Sequence, residues 1–310
     1  FVGAGLFLLF IAPNVWLAFR FTRNEIPSTL TAETFRLVRR IMGLVSSLVI
    51  GVAAISFGSA AASRWEVILQ YMYSTPFTSV SPETGVRTDL LEPIFNKGVD
   101  FYVFTLPLLG FLRGWILGVL IVTLLVVSAM YLIHRGLKEK GEMNFQSPKM
   151  HLAVIGSLIF LSISVGHWLG RYDLLYSSEG VLYGVGFTDE NARIPVRTIL
   201  TFIAGASAIL LLIGAYLTGY RFIVGAVGLW LGFSILAGGI FPNLIQRFQV
   251  QPNELKKETP YLLNNIGMTR VAYGIDLGSD QTKNHKGLEQ ITNDIIDENM
   301  GTINNIRLWD

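Results

Sequence analysis

His167, Arg171 and Asp173 fall within one short stretch, Ser164–Tyr176, which reads SVGHWLGRYDLLY. An imidazole that titrates near neutral pH, set beside a guanidinium and a carboxylate, can pass protons or hold a polar ligand. A second group follows in Phe187–Arg193, where Asp189 and Glu190 are candidate acid/base carboxylates and Arg193 stands close by. A third residue, Arg113, interrupts the apolar run Phe101–Ile133. Other chemistries find no support. The chain has no cysteine, which excludes disulfides, thiolate metal sites and cysteine nucleophiles. His134, His151, His167 and His285 are scattered, none paired with a carboxylate at ligand spacing, so no metal site is expected. There is no G-x-S-x-G elbow, phosphate loop or dinucleotide fingerprint, and no cofactor is identifiable.

The elements that must carry these residues follow from the solvent. Of 310 residues, 51% are hydrophobic and 15% charged, against about 25% charged in a soluble domain. The mean hydropathy is +0.50. These values describe an integral membrane protein. The net charge of +2 is too small to suggest nucleic-acid binding. A run of about 18 or more apolar residues crosses a bilayer as a helix. Five runs qualify: Ile41–Ala62, Trp115–Ile133, Leu152–Leu169, Ile199–Leu217 and Phe222–Phe241. A sixth, Phe1–Ala18, carries Asn14 and Pro13. It starts with Phe inside an apolar run, as expected of a piece of a longer product. Lipid cannot satisfy backbone donors, and none of these runs alternates in polarity, so each is a helix.

Basic residues orient the bundle. Arg20, Arg23, Arg36, Arg39 and Arg40 share one connection; Arg135, Lys138, Lys140 and Lys149 share another; Arg221 opens the last span. The positive-inside rule puts these on the cytoplasmic side, with Arg64–Asp100, Gly170–Arg197 and the chain after Phe241 facing outward. The expected organisation is therefore a polytopic, all-α transmembrane bundle over residues 1–245. A small, mixed extracytoplasmic segment, 246–310, opens a further domain. In that tail Thr259-Pro260 reads as a helix start, Gly274–Gly287 as a surface loop, and Leu288, Ile291 and Ile295 as a second weak helix. The apolar end at Leu308-Trp309 suggests that more chain follows.

Several phrases carry a family resemblance: EPIFNKGVDFYVFTLPLLGFLRG (Glu92–Gly114), HWLGRYDLLYSSEG (His167–Gly180), GVGFTDENARIPVRTIL (Gly184–Leu200), VQPNELKKETPYLLNNIGMTRVAYGID (Val250–Asp276) and NNIRLWD (Asn304–Asp310). Together they resemble the large multi-pass membrane proteins of uncharacterised protein family 0182. The resemblance spans nearly the whole chain. It implies about seven amino-terminal membrane helices followed by a large extracytoplasmic domain, of which this sequence carries six helices and the opening of the domain. It implies no activity.

Each polar group has two readings. In the first, Trp168, Tyr172 and Tyr176 form an interfacial belt and Arg171 pairs locally with Asp173. In the second, His167 points into the bundle and forms a polar path with Arg171 and Asp173. For Arg113, the favoured reading lays Phe101–Leu112 along the outer interface, kinked at Pro107, with the span starting at Trp115. The alternative buries Arg113 beside Asp100, Asp173 or Asp189, since an unpaired buried arginine is costly. Small residues at helix-packing spacing, Ala54 and Gly58 in one span and Gly228 and Gly232 in the last, suit close approach within one subunit or self-association.

Three functions remain open. The first is a structural, assembly or partner-binding role in a membrane complex, with the lipid bilayer and other membrane proteins as the expected partners. The second is a transporter or channel, which would need polar groups at mid-span beyond Asn14, Ser46, Ser47 and Ser207. The third is a membrane-embedded enzyme acting on lipid or envelope substrates. It would use an outward cleft lined by Asp173, Asp189 and Arg193. The expected location is a prokaryotic-type plasma membrane or a thylakoid-like membrane, with the carboxy-terminal segment on the non-cytoplasmic side.

Overall fold

The computed structural model describes residues 1–22, 31–80, 87–136, 146–178, 180, 183–217, 220–273 and 293–304. Among these described residues six helices are long and apolar enough to cross a membrane: Val2–Thr22, Glu33–Ala62, Phe101–Arg135, Gln146–Gly170, Asp189–Tyr216 and Arg221–Ala272. Their α-helical parts are α1 (Val2–Thr22), α2 (Ala32–Ala62), α4 (Leu106–Gly136), α5 (Gln146–Gly170), α6 (Ile194–Tyr216) and α7 (Tyr220–Phe233). Large apolar side chains point outward from them: Ile55 is 75% and Phe202 68% exposed. Hydrocarbon, not water, is the solvent that tolerates such a girth.

The bundle packs in sequence order. α1 lies on α2 and α4, α4 on α5, α5 most extensively on α6, and α6 on α7. Phe7, Ile11, Val127 and Ile155 form the core where α1, α4 and α5 meet. Close approach of α1 and α2 depends on glycine. A Cβ at Gly58 would stand 2.9 Å from Ala4 Cβ, and one at Gly3 would stand 2.5 Å from Ala61 Cβ. Ala54 of the same ladder is buried. Gly228 and Gly232 of α7 differ: a Cβ on either would meet no atom within 4 Å.

Some polar side chains inside the bundle join helices. Ser207 donates to Ala226 O at 2.9 Å, tying α6 to α7. Asn14 Nδ2 donates to Phe10 O at 2.7 Å, which turns Oδ1 toward His151 Nε2, 3.0 Å away. An oxygen there requires Nε2 to carry the proton, so Nδ1 accepts from the Tyr131 hydroxyl at 2.8 Å. One imidazole thereby fixes the register of α1, α4 and α5. Replacing Asn14 with Leu strands the Nε2–H, at a cost of about 1 kcal/mol. The expected result is a lower melting temperature in detergent than for Ser46→Ala in α2, and equal melting would count against the network.

One end of the bundle is elaborated. Helix α3 (Trp65–Met72) and an antiparallel hairpin, β1 (Thr78–Val80) with β2 (Arg87–Asp89), lead to the loop before α4. Glu92 is buried there; Oε1 accepts from Ile94 N–H at 2.6 Å, and Oε2 accepts from Phe95 N–H at 2.8 Å and Tyr102 OH at 3.2 Å. Asn96 takes a positive φ of 52° to close the turn. Lys97 Nζ sits over the rings of Phe101 and Tyr172 at 4.9 and 5.6 Å.

Two expectations are corrected here. The stretch Phe101–Leu112 does not lie apart as an interfacial helix kinked at Pro107. It is the first part of one continuous helix, a π-helical turn at Phe101–Thr105 running into α4. The proline sits just after that widened turn, whose altered hydrogen-bond register accommodates the missing N–H inside the helix. Nor does the helix that carries the last apolar run end at Phe241. Helical segments continue through α8 (Phe241–Ile245) to α9 (Glu254–Ala272), and Pro260 lies inside α9 instead of starting it. A short α10 (Asn293–Glu298) and α11 (Met300–Ile303) follow. The expected loop Gly274–Gly287, Leu288, Ile291, the terminal Leu308–Asp310, Arg23, Lys138, Lys140 and His285 lie outside the described residues.

Candidate functional site: an arginine-lined groove

The last turn of α5 is shaped by two glycines four residues apart. A Cβ at Gly166 would fall 2.3 Å from Arg113 Nη2 and 2.4 Å from its Cζ. Only a residue without a side chain lets the Arg113 guanidinium cross from α4 and lie flat on α5, where its Nε donates to Ser162 O at 3.2 Å. At Gly170 a Cβ would stand 3.0 Å from Arg197 Nη1. Arg197 thus reaches the same helix from α6. Neither arginine behaves as a long cation that simply extends to the interface; each is seated against a helix backbone.

These guanidiniums open into a groove of about 1180 Å³. Its floor is α5 and α6, and its sides are α4 and the π-helical segment Ser234–Ile240 that continues α7. Arg113, Arg193 and Arg197 line it, with Asp173 as the carboxylate and His167 and Trp230 deeper in. Trp230 Nε1 donates to His167 Nε2 at 3.2 Å, so a neutral His167 carries its proton on Nδ1. Two of the π-helical segments contribute to this groove, Asp189–Arg193 and Ser234–Ile240. Such widened turns recur at functional sites. Asp173 is exposed to the groove, yet the desolvation it has there raises its carboxyl above its ordinary range, while Arg197 and Arg113 pull it back down.

The other polar residues separate into distinct roles. Arg171 does not pair with Asp173. Its guanidinium lies 3.4 Å over Trp168, Nη1 donates to Thr198 Oγ1 at 3.2 Å and Nε to Trp168 O at 3.2 Å. The short 3-10 turn Tyr172–Tyr176 points Asp173 away from it and into the groove. Tyr172 is not a belt residue; it is buried against Phe95, Phe101 and Tyr102. Tyr176 OH donates to Tyr102 O at 2.8 Å. Asp189 is almost wholly buried and spent on structure. Its Oδ2 accepts from Gly186 N–H at 3.0 Å and its Oδ1 pairs with Arg193 Nη1 at 2.8 Å, which aims Arg193 at the groove. The loop that carries this pair is held from outside by α9. Phe187 N–H donates to Glu258 at 3.1 Å, Asn265 donates to Tyr183 O at 3.0 Å, Tyr261 OH donates to Glu190, and Lys257 lies 4.3 Å over Phe187.

Arg113, His167, Asp173 and Arg193 of the expected cluster therefore meet, whereas Arg171 and Asp189 support them from outside. Arg197 and Trp230 were not singled out by sequence. Arg197 follows Arg193 by one helical turn, which is the signal that could have found it. Among the described residues no three His, Asp or Glu side chains converge as metal ligands.

The model of a family described as "Uncharacterised protein family (UPF0182)" matches residues 1–310. A UPF0182 protein of Nostoc sp. is 34% identical over 266 residues, which is 84% of this chain and 25% of that relative. One from Sulfurovum sp. is 36% identical over 261 residues, 83% of this chain and 27% of the relative. One from Trichlorobacter lovleyi is 31% identical over 312 residues, 99% of this chain and 34% of the relative. The chain thus spans about a quarter to a third of the length of these curated relatives. No solved structure matches it.

Proposed function

The chain belongs to the UPF0182 family, and from that premise we propose that it is a multi-pass membrane protein that binds an anionic ligand in the arginine-lined groove. The observation that carries this reading is the seating of Arg113 and Arg197 over Gly166 and Gly170 along one wall of the groove. Preorganised guanidiniums, with Asp173 the one lining carboxylate among the described residues, favour a negative group, and Arg chelates phosphate and carboxylate oxygens in pairs. This moves weight from assembly, the reading sequence favoured, toward ligand capture, of which an envelope enzyme would be one form. Transport draws less support, since Asn14 and Ser207 are engaged in helix contacts. The charge distribution along the loops supports a groove that faces out of the cytoplasm, with α9 on the same side. Residues 1–245 would form the membrane bundle and 246–310 the start of an outward domain, in a prokaryotic-type plasma or thylakoid-like membrane.

Trp230 gives the test. Inorganic pyrophosphate titrated into purified protein is expected to change Trp230 emission saturably, with Trp230→Phe as the control. The change should be lost in Arg113→Gln together with Arg197→Gln. A response absent from the native protein, or unchanged in that pair, would sink the reading.

The same site has a pH dependence of fixed sign. Neutralising Asp173 removes a negative charge that faces Arg113 from α4, His167 from α5, Arg193 and Arg197 from the α6 end and Tyr176 from its own turn. Its raised pKa puts that step above the usual carboxylate value of about 4. Anion affinity should rise as pH falls through that window. Any protonation of His167 adds in the same direction. In Asp173→Asn, the binding isotherm at pH 7 should be tighter and its pH dependence flatter; weaker binding would contradict the sign.

A further inference from the structure

The groove has a polarity gradient along the helices. At the helix ends it is lined by Asp173, Ser177, Arg193 and Asn243; further toward the bundle's middle it is lined by Ile163, Leu200 and Trp230. Arg113 and Arg197 lie at the changeover, one turn outward of Ile163 and Leu200. Its side is also open. α4 packs on α5 and α1, and α7 on α6, so among the described residues no helix covers α5 and α6 between α4 and Ser234–Ile240. A soluble anion needs only the polar end of such a groove. An amphiphile uses the whole of it, with its charge on the guanidiniums, its first methylenes on the half-buried Ile163 and Trp230, and its chains in the surrounding hydrocarbon.

From this juxtaposition we infer that the groove takes the phosphate headgroup of an anionic lipid, admitted sideways from the leaflet at that end of the bundle. This rests on the anion-binding reading and narrows its ligand class. Glycine at 166 and 170 is part of the device. It lets two guanidiniums lie against the α5 backbone, which leaves room above them for a phosphate. Phosphate paired with arginine at this depth is shielded from water, where charge-assisted bonds are strong.

The experiment uses the chain in nanodiscs of phosphatidylcholine with phosphatidylglycerol. Lipid retained after transfer to detergent is identified by native mass spectrometry. Phosphatidylglycerol should be enriched at least tenfold over phosphatidylcholine at equal supply, and the enrichment should vanish in Arg113→Gln. Ile163→Gln should weaken it several-fold, since it makes the apolar part of the groove polar. Pyrophosphate binding that depends on Arg113, without lipid enrichment, would overturn this inference and leave the anion reading standing. Equal retention of phosphatidylcholine would likewise overturn it. Loss of both responses in the native protein would overturn the two together. If Arg113→Gln fails to fold, Arg113→Lys should keep the fold and lose most of the enrichment, because a point charge cannot chelate in pairs.

Discussion

In Gly166→Ala, anionic lipid retention should fall to the level of Arg113→Gln while the bundle stays folded. The added methyl would occupy space 2.3–2.7 Å from Arg113 Nη2, Cζ and Nε, distances real Cβ atoms do not tolerate. Arginine is a long side chain and can swing away, so the helix pair need not separate. The guanidinium then leaves Ser162 O and the groove, and its contribution to anion binding goes with it. A displaced bidentate arginine is worth about 1.5–3 kcal/mol, or roughly ten- to a hundredfold in affinity. Gly156→Ala is the control in the same helix, since its Cβ would meet only Leu211 Cδ1 at 3.5 Å. Equal lipid retention in the Gly166→Ala and native proteins would mean that Arg113 is not a ligand.

Glu92→Ala should be the most destabilising single change in the described loops. Its carboxylate accepts from two backbone N–H groups and the Tyr102 hydroxyl, and the residue is only 5% exposed. Truncation strands three donors in a buried turn, each costing about 1–3 kcal/mol when no water replaces the acceptor. A loss of about 3 kcal/mol or more is expected. It should be read as a lower chemical-denaturation midpoint in detergent, with little change from exposed Asp89→Ala. The loop also seats Lys97 over Tyr172, whose turn carries Asp173. The variant should therefore bind lipid less well even where it folds. Midpoints equal to the Asp89→Ala protein would overturn the role assigned to Glu92.

The six long apolar helices were legible because hydrocarbon favours runs of apolar residues, and such runs survive any packing arrangement. Their ends were not. Phe101–Leu112 reads as separable because Pro107 and Arg113 both punctuate it, yet a π-helical turn absorbs the proline and a glycine across the interface absorbs the arginine. The continuation past Phe241 was hidden for the opposite reason: its polarity changes while its backbone does not. Within the site, the stretch His167–Asp173 was visible, but pairing Arg171 with Asp173 assumed that neighbours in sequence face one another. Arg171 stacks on Trp168 instead, and the arginines that face Asp173 come from α4 and α6. Asp189 shows the same limit. Its residue type suits acid/base work, but burial and two committed bonds make it a support for Arg193. The hairpin β1–β2 escaped notice because strands of three residues carry no readable alternation.

The chain contains no cysteine, so a single Ser178→Cys substitution reports on the groove without background. Ser178 lines the groove and is exposed. Its modification rate should be measured in intact cells with membrane-impermeant thiosulfonates of opposite charge and similar size. The anionic reagent should react about tenfold faster than the cationic one, the scale of attraction expected in a charged cleft. Arg113→Gln with Arg197→Gln should remove the difference. Preference for the cationic reagent, or no reaction from outside, would contradict an outward groove built to hold negative charge.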